Sequence, residues 1–385
     1  MKISGFVIFL TIILAIYGSV NFYIFVRGWE ALSQFSSAKI YFSIFFWFIA
    51  ASFIAGRVLE KYGFSVVANF MIHLGSYWLA MMLYLFLILV LIDLIRLINH
   101  FIPFFPGYIY ENYNLFKQIT ALSVIMVVII ITWVGHINAT NPGIRTLEIG
   151  IDKRVENTKK LNIVVASDIH LGTMIGRSEI DNIVAIINKL EPDIVLLPGD
   201  IVDEDMGPVI RQNLGEALNN IRARYGVFAV TGNHEYIGGV EPAFQYLSAH
   251  KINVLRDSVA QVNGDIYIVG REDISVNRIR GKKRYSLEKL LENVNKTYPV
   301  ILLDHQPFNL NEAADNGIDL QVSGHTHHGQ LWPFNYITSR VYEISHGYKK
   351  SKNTHFYISS GVGTWGPPVR IGNRPEIVNI ILSFK

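Results

Sequence analysis

The chain contains no cysteine. Disulfides, thiolate metal sites and cysteine nucleophiles are therefore excluded, while the compartment stays open, because a cysteine-free chain suits either side of a membrane. Charge is scarce as well. Only 17% of residues are Asp, Glu, Lys or Arg, where a soluble enzyme carries about a quarter. The formal net charge of +3 is too small to mark a surface for phosphate backbones, so no nucleic-acid partner is expected. In place of charge there is apolar content. Half of the 385 residues are hydrophobic, and the excess lies in the first third. This length implies two units rather than one small domain. The composition says nothing about oligomeric state.

Four apolar stretches precede residue 140: Ile3 to Val26, Ile40 to Gly56, Met71 to Ile92, and Ile119 to Ile137. Each is near the ~20 residues that a helix needs to cross a hydrocarbon core. The first is too long for the apolar part of a signal peptide, and no small-residue cleavage site follows it closely. Four membrane-spanning helices are expected. Tyr23, Trp29, Trp78 and Trp133 lie near segment ends, as interfacial aromatics do. Asp93 and Arg96 are expected to form an interfacial ion pair. Four spans place both termini on one side, with Lys2, Arg57, Lys61, Arg145, Lys153, Arg154, Lys159 and Lys160. The other side holds Arg27, Lys39, Arg96 and Lys117. The bias predicts a multi-pass protein of the cell membrane whose C-terminal domain is cytoplasmic. The expected organisation is a helical membrane domain over 1–140 and a second domain over 141–385.

From Thr146 the texture changes to ordinary soluble composition. Apolar runs Leu161–Ala166, Asp193–Leu197, Gly226–Val230, Tyr267–Val269, Val300–Leu303, Asp319–Val322, Phe356–Ser359 and Ile377–Leu382 read as strands. Glu179–Leu190 carries Ile180, Ile183, Val184, Ile187 and Leu190 at helical spacing. Strands separated by helices predict an α/β domain.

Five polar motifs each follow one of these strands: Asp168-Ile169-His170, Gly199-Asp200-Ile201-Val202-Asp203, Gly232-Asn233-His234-Glu235, Asp304-His305-Gln306-Pro307 and Gly324-His325-Thr326-His327. Open α/β sheets place their sites at strand C-terminal ends, so five such ends on one sheet would converge on one rim. The glycines before Asp200, Asn233 and His325 are expected to allow sharp turns. A single such motif is usually a turn or a cap; all five in order point to one site. The donors are Asp, His and Asn without sulfur, a set suited to Mn, Fe or Zn. Seven ligands exceed the need of one tetrahedral ion and suit two that share a carboxylate. Two ions ~3.5–4 Å apart can clamp an in-line phosphoryl displacement and lower the pKa of a bridging water toward neutrality.

The series DxH, GDxxD, GNHE, a later His and GHxH resembles the signature of calcineurin-like metallophosphoesterases, over about residues 146–385. The resemblance implies a four-layer αββα sandwich with two divalent metal ions at its strand ends. It implies that Asp168, His170 and His327 hold one ion, that Asn233, His305 and His325 hold the other, and that Asp200 bridges both. His234 matches a non-ligand histidine that stabilises or protonates the leaving oxygen, and Asp203 would orient it. Protein Ser/Thr phosphatases of this superfamily carry Asp-Arg-Gly where this chain has Asp203-Glu204-Asp205. The missing arginine points away from phosphoproteins and toward the bacterial phosphodiesterase and pyrophosphatase branch. The tail Gly361–Arg370 is similar to a membrane-associated subfamily of that branch, some of whose relatives cleave UDP-diacylglucosamine. The implied partners are the lipid bilayer and a phosphate-ester or pyrophosphate substrate, lipid-linked or nucleotide-linked. In that tail Arg370 is a candidate contact for a substrate phosphate, with a solvated loop arginine as the other reading. Trp365 either walls the cleft or packs. His346 and His355 lie outside the signature and are read as structural. Two non-enzymatic readings remain: a scaffold that kept the fold, and a transporter with a regulatory domain. A complete ligand set counts against the first, and spans almost without central ionisable residues count against the second.

Overall fold

The computed structural model describes residues 3–63, 65–156 and 158–385; Lys2 of the charge comparison lies outside the described residues. Two compact units are present, one comprising the chain up to Ile137 with Gly366–Val369, the other Asn138–Trp365 with Arg370–Lys385.

The first unit is helical: α1 (Ile3–Ala31), α2 (Ser36–Lys61), α3 (Ser65–Phe101), the short α4 (Gly107–Glu111) and α5 (Tyr113–Thr140). Among the described residues four helices are long and apolar enough to cross a membrane, over Leu10–Ala31, Ser36–Lys61, Ser65–Phe101 and Tyr113–Thr140. Each runs past the apolar stretch that marks it, because polar residues at the ends continue the helix outside the hydrocarbon. Most outward side chains are Ile, Leu, Val and Phe, as lipid contact demands. α3 stops before Pro103 and Pro106, and Asn99 Oδ1 accepts from the Phe104 and Phe105 amides at 2.9 and 2.8 Å.

One sequence expectation is borne out and extended here, and another is corrected. Asp93 does pair with Arg96, at 3.4 Å, but its closer partners are Arg27 Nη2 at 2.5 Å and the Tyr23 hydroxyl at 2.6 Å. The spacing along α3 gives the pair with Arg96, and packing of α1 on α3 adds the two closer partners. Trp78 is not interfacial. It is buried, edge-on to Phe46, and its indole donates to Asn21 Oδ1 at 2.9 Å. A buried polar partner of that kind satisfies an indole N–H that hydrocarbon cannot.

Among the described residues the second unit holds twelve strands in two six-stranded sheets. They are β1 (Gly143–Ile151), β2 (Lys160–Val165), β3 (Ile194–Pro198), β4 (Val227–Val230), β5 (Ile252–Val254), β6 (Ser258–Val262), β7 (Ile266–Gly270), β8 (Val300–Leu303), β9 (Leu320–Ser323), β10 (Gly347–Ser351), β11 (Thr354–Ile358) and β12 (Glu376–Phe384). The first sheet has the order β1-β12-β2-β3-β4-β5 and the second β10-β11-β9-β8-β7-β6. Within them β2-β3-β4-β5 and β7-β8-β9-β11 run parallel. Alternation along a strand splits the core in two. On β2 and β3, Ile163, Val165, Ile194 and Leu196 face the second sheet and meet Ile268, Ile301, Leu303 and Val322. Val164, Val195 and Leu197 face helices, chiefly Ile180, Ile183 and Ile187 of α6 (Arg177–Lys189). On the second sheet Val300, Leu302 and Phe356 pack outward on Leu287, Leu290 and Leu310. Helices, two sheets and helices make the four-layer αββα sandwich. Its central strands, covered on both faces, read as continuous apolar runs for that reason.

The strands recognisable in the sequence are those buried on both faces. β1, β5, β6 and β10 went unread, and all are short or carry exposed positions.

Candidate metal centre

The five motifs follow β2, β3 and β4 of one sheet and β8 and β9 of the other. The expectation of a single sheet is thereby corrected. Three strand ends of the first sheet and two of the second meet across the sandwich at one rim.

Local backbone there is strained. Asp168, His170, Asp200, His325 and His327 all have φ between 44° and 72°, the left-handed region that costs a non-glycine residue on the order of 1–3 kcal/mol. Five such residues in one cluster mean that the surrounding sandwich overdetermines their conformation. Gly199, at φ 92°, does make the sharp turn expected of it. Gly232 does not: its φ is −109°, and glycine is required there because a Cβ would run into the Asp200 carboxylate.

The donors fall into two groups. In the first, His170 Nε2 and His327 Nε2 face each other at 3.0 Å, with Asp168 Oδ1 3.7 Å from His327 Nε2. In the second, His305 Nε2 lies 3.1 Å from Asp200 Oδ2 and 3.2 Å from Asn233 Oδ1, with His325 alongside. Asp200 Oδ2 is also 4.0 Å from His170 Nε2, so one carboxylate stands between the groups. Asp168, His170, Asp200, His305 and His327 are buried.

This cluster fits cations. Burial pushes the Asp168 carboxyl up to about 6 even against the pull of His305. Burial also drives the imidazole of His170 down to about 4, with the charge of His234 adding to it. His325 falls to about 3, again by burial and then by His305, and His327 falls well below the usual range. Neutral rings offer lone pairs, and buried carboxylates call for positive charge. His305 Nδ1 donates to the Pro198 carbonyl at 2.8 Å, which leaves Nε2 as the metal-facing nitrogen. The Nδ1 of His170 is buried without a hydrogen-bond partner.

His234 belongs to a third set of close donors with Asp203 and His170, its ring edge-on to that of His170 at 4.5 Å. Its Nδ1 lies 3.0 Å from Asp203 Oδ1. Burial would lower its pKa, but that hydrogen bond and the charges of Asp200, Asp203 and Glu204 outweigh it and hold the ring at about 9. Cations beside Asp200 would oppose this rise. Trp365 is mostly exposed, its ring edge-on to His234 at 6.3 Å and its backbone clasped by Gln330 at 2.9 and 2.8 Å. It stands at the mouth of the site rather than in the core.

Arg370 requires a correction. It is 1% exposed, so it is neither a solvated loop arginine nor placed to reach a substrate phosphate. Its guanidinium donates to the carbonyls of Ser360, Gly361 and Gly363 at 2.7, 3.3 and 2.5 Å, and Nη2 sits 3.0 Å from His327 Nδ1. The side chain fixes the ring plane of His327 from behind. A cation held by Nε2 of His327 would leave the ring proton on Nδ1, and the guanidinium would then rest on its carbonyl acceptors alone.

Two further residues matter that the sequence reading did not single out. Glu235 accepts from the amides of Asp200, Ile201, Val202 and Gly232 at 3.1, 2.7, 2.9 and 2.6 Å, and so clamps the loop that carries Asp200. Its place three residues after Gly232 is capping-box spacing, a signal that was present. Asn373 donates to the carbonyls of His327 and His328, both at 3.1 Å; no local pattern marks it. His346 pairs with Glu376 at 3.3 Å and His355 with the Tyr348 hydroxyl at 2.8 Å.

Residues 161–329 match the family profile described as calcineurin-like phosphoesterase. An uncharacterized metallophosphoesterase of Campylobacter jejuni is 30% identical over 394 residues, covering 99% of each chain. A zebrafish protein called transmembrane protein with metallophosphoesterase domain is 34% identical over 280 residues, 70% of this chain and 63% of that one. An uncharacterized metallophosphoesterase of Helicobacter pylori is 35% identical over 246 residues, 63% of this chain and 65% of that one. This chain therefore spans just under two thirds of the zebrafish and Helicobacter relatives, and nearly all of the Campylobacter one. Fold and donor set together are those of a metallophosphoesterase domain, in a chain with four helices long and apolar enough to cross a membrane. The chain belongs to the calcineurin-like metallophosphoesterase family.

Proposed function

We propose that the chain is a membrane-anchored phosphoesterase with two divalent ions, cleaving a phosphodiester or pyrophosphate bond of a lipid-linked or nucleotide-linked substrate. Residues 1–140 form its membrane domain and 141–385 its catalytic domain. The observation that carries this reading is the position of Asp200 Oδ2, within 3.1 and 4.0 Å of ring nitrogens from both donor groups. Asp168, His170 and His327 would hold one ion, Asn233, His305 and His325 the other, and Asp200 both. Such a pair supplies positive charge to the reacting phosphoryl group and acidifies the attacking water; the donor set suits Mn, Fe or Zn. The protein's own part is then specific. Glu235 clamps the loop of Asp200, and Arg370 braces the Ser360–Gly363 backbone behind His327. His234, steadied by Asp203, offers a proton to the leaving oxygen. The full-length protein in detergent should hydrolyse bis(p-nitrophenyl) phosphate with Mn²⁺ and lose that activity on chelation. Two bound ions without hydrolysis would leave the scaffold reading in its place.

The distribution of basic residues supports a cytoplasmic catalytic domain under this proposal. Arg57, Lys61 and the run from Arg145 to Lys160 outnumber Arg27, Lys39, Arg96 and Lys117, and such bias near span ends sets orientation. A reporter fused after residue 145 should fluoresce as cytoplasmic green fluorescent protein and stay inactive as alkaline phosphatase. Strong alkaline phosphatase activity would reverse the topology.

A further inference from the structure

A short helix beside the donor cluster is built inside out. An amphipathic helix on a globular domain turns its apolar stripe inward. In Phe334–Val341 no residue is buried. Phe334, Ile337 and Val341, spaced to share one face, are 42%, 59% and 58% exposed, and Tyr336 beside them is exposed as well. The positions turned toward the domain, Asn335 and Thr338, are half-buried and polar. Asn335 Oδ1 is buried, Thr338 Oγ1 donates to the Asn335 carbonyl at 3.0 Å, and Ser339 Oγ lies 3.3 Å from Ser345 Oγ. Trp332, just before the helix, is 45% exposed. This apolar lip adjoins the chemistry. Tyr342, directly after the helix, has its ring 6.1 Å from that of His325 and 5.0 Å from that of Phe308. The helix begins seven residues beyond His327.

The same region is hydrogen-bonded to Asn138, the residue with which the second unit begins. Asn138, in the final turn of α5, donates to the carbonyls of Arg370 and Asn373 at 3.0 and 2.7 Å. Asn373 in turn donates to the His327 and His328 carbonyls. Two hydrogen-bonded steps therefore lead from Asn138 to the turn that launches Trp332 and the helix. Strand β1 starts at Gly143, three residues after α5 ends. Trp and Tyr are the residues of the membrane interface, and a cation on such a helix suits anionic head groups; the helix supplies Arg340.

We propose that Trp332 and the outward face of Phe334–Val341 insert into the interface of the bilayer the chain spans, so that the centre takes its phosphoester from an amphiphile held in that bilayer. This rests on the phosphoesterase reading above for its catalytic half only; the docking half stands on the helix.

The test has two arms. Because the chain has no cysteine, Ile337→Cys, Val341→Cys and, as an exposed control, Lys296→Cys each accept a single nitroxide in full-length protein. In phosphatidylcholine–phosphatidylglycerol nanodiscs, the labels at 337 and 341 should meet oxygen more readily than a nickel chelate, and the label at 296 the reverse. Nickel access at 337 equal to that at 296 overturns the docking. So does spin–spin broadening at 337, which would assign the face to a second copy. The second arm compares hexadecyl p-nitrophenyl phosphate in vesicles of the same lipids with methyl p-nitrophenyl phosphate in solution, two diesters with the same reacting bond. The wild type should favour the vesicle-bound diester in kcat/KM by roughly tenfold or more, from its capture at the interface. Ile337→Glu should erase that preference and leave the methyl diester rate unchanged. Equal preference in the variant and the wild type overturns the substrate claim. Hydrolysis of neither diester by metal-loaded protein would instead defeat the phosphoesterase reading, and the nitroxide depths would still decide the docking.

Discussion

Asp200→Asn should bring hydrolysis to background and strip metal from both halves of the centre. The reason is geometric. One carboxylate oxygen lies near the ring nitrogens of His305 and His170, and the other accepts the His234 amide at 2.9 Å. Burial would raise this carboxyl, yet the charge and hydrogen bond of His305 hold it well below the usual carboxylate range. It is thus the group that offers a full negative charge to two positions at once. An amide keeps the shape but presents one neutral oxygen and a donor that repels cations. The rate should fall by at least the roughly 10²–10³-fold that loss of a single electrostatic stabiliser costs, and metal analysis should find well under two ions per chain. Two full ions with an undiminished rate would remove Asp200 from the bridging role.

The second large effect falls on His234, which tests mechanism rather than metal binding. Its ring touches Asp203 and lies outside the Asp200–His305–His325 and Asp168–His170–His327 sets, although with His170 and Asp203 it forms a third possible donor set. His234→Ala should keep both ions and lose rate by roughly 10²–10⁴-fold, the usual worth of a positioned proton donor. The loss must follow the leaving group. An alkoxide needs the proton and should suffer most; p-nitrophenolate leaves readily and should suffer least. Asp203→Asn should give a weaker version of the same pattern, since it only fixes the ring. If His234→Ala instead releases an ion, or slows both leaving groups equally, the ring is a ligand or a structural residue and its acid role is void.

Much of the catalytic unit is readable along the chain because its central strands are buried on both faces. Ile163 to Val165 or Ile194 to Leu197 must be apolar throughout, and each such run announces both a strand and the polar turn after it. Edge strands such as β5 and β10 leave weaker traces, because half their residues face water and obey no stringent pattern. Arg370 shows the limit of local reading most clearly. An arginine among glycines and prolines looks like a surface residue. It is buried because the carbonyls of Ser360, Gly361 and Gly363 converge on it, an arrangement that no spacing encodes. The helix Phe334–Val341 misleads in the opposite way. Its apolar periodicity suggests a core face, and only the fold turns that face outward.

The amino-acid order by itself determined the membrane helices, the α/β class, the seven metal-ligand candidates and the family, since each rests on a period, a run or a short motif whose physics is local. The tertiary structure alone decided that the motifs come from two sheets rather than one, that Asp200 stands between the donor groups, that Glu235 clamps its loop and Arg370 backs His327, and that Asp93 prefers Arg27. Those facts depend on which distant segments meet, and the meeting is set by how two sheets and their helices bury their apolar faces together, a balance of the whole chain that no window of neighbouring residues contains.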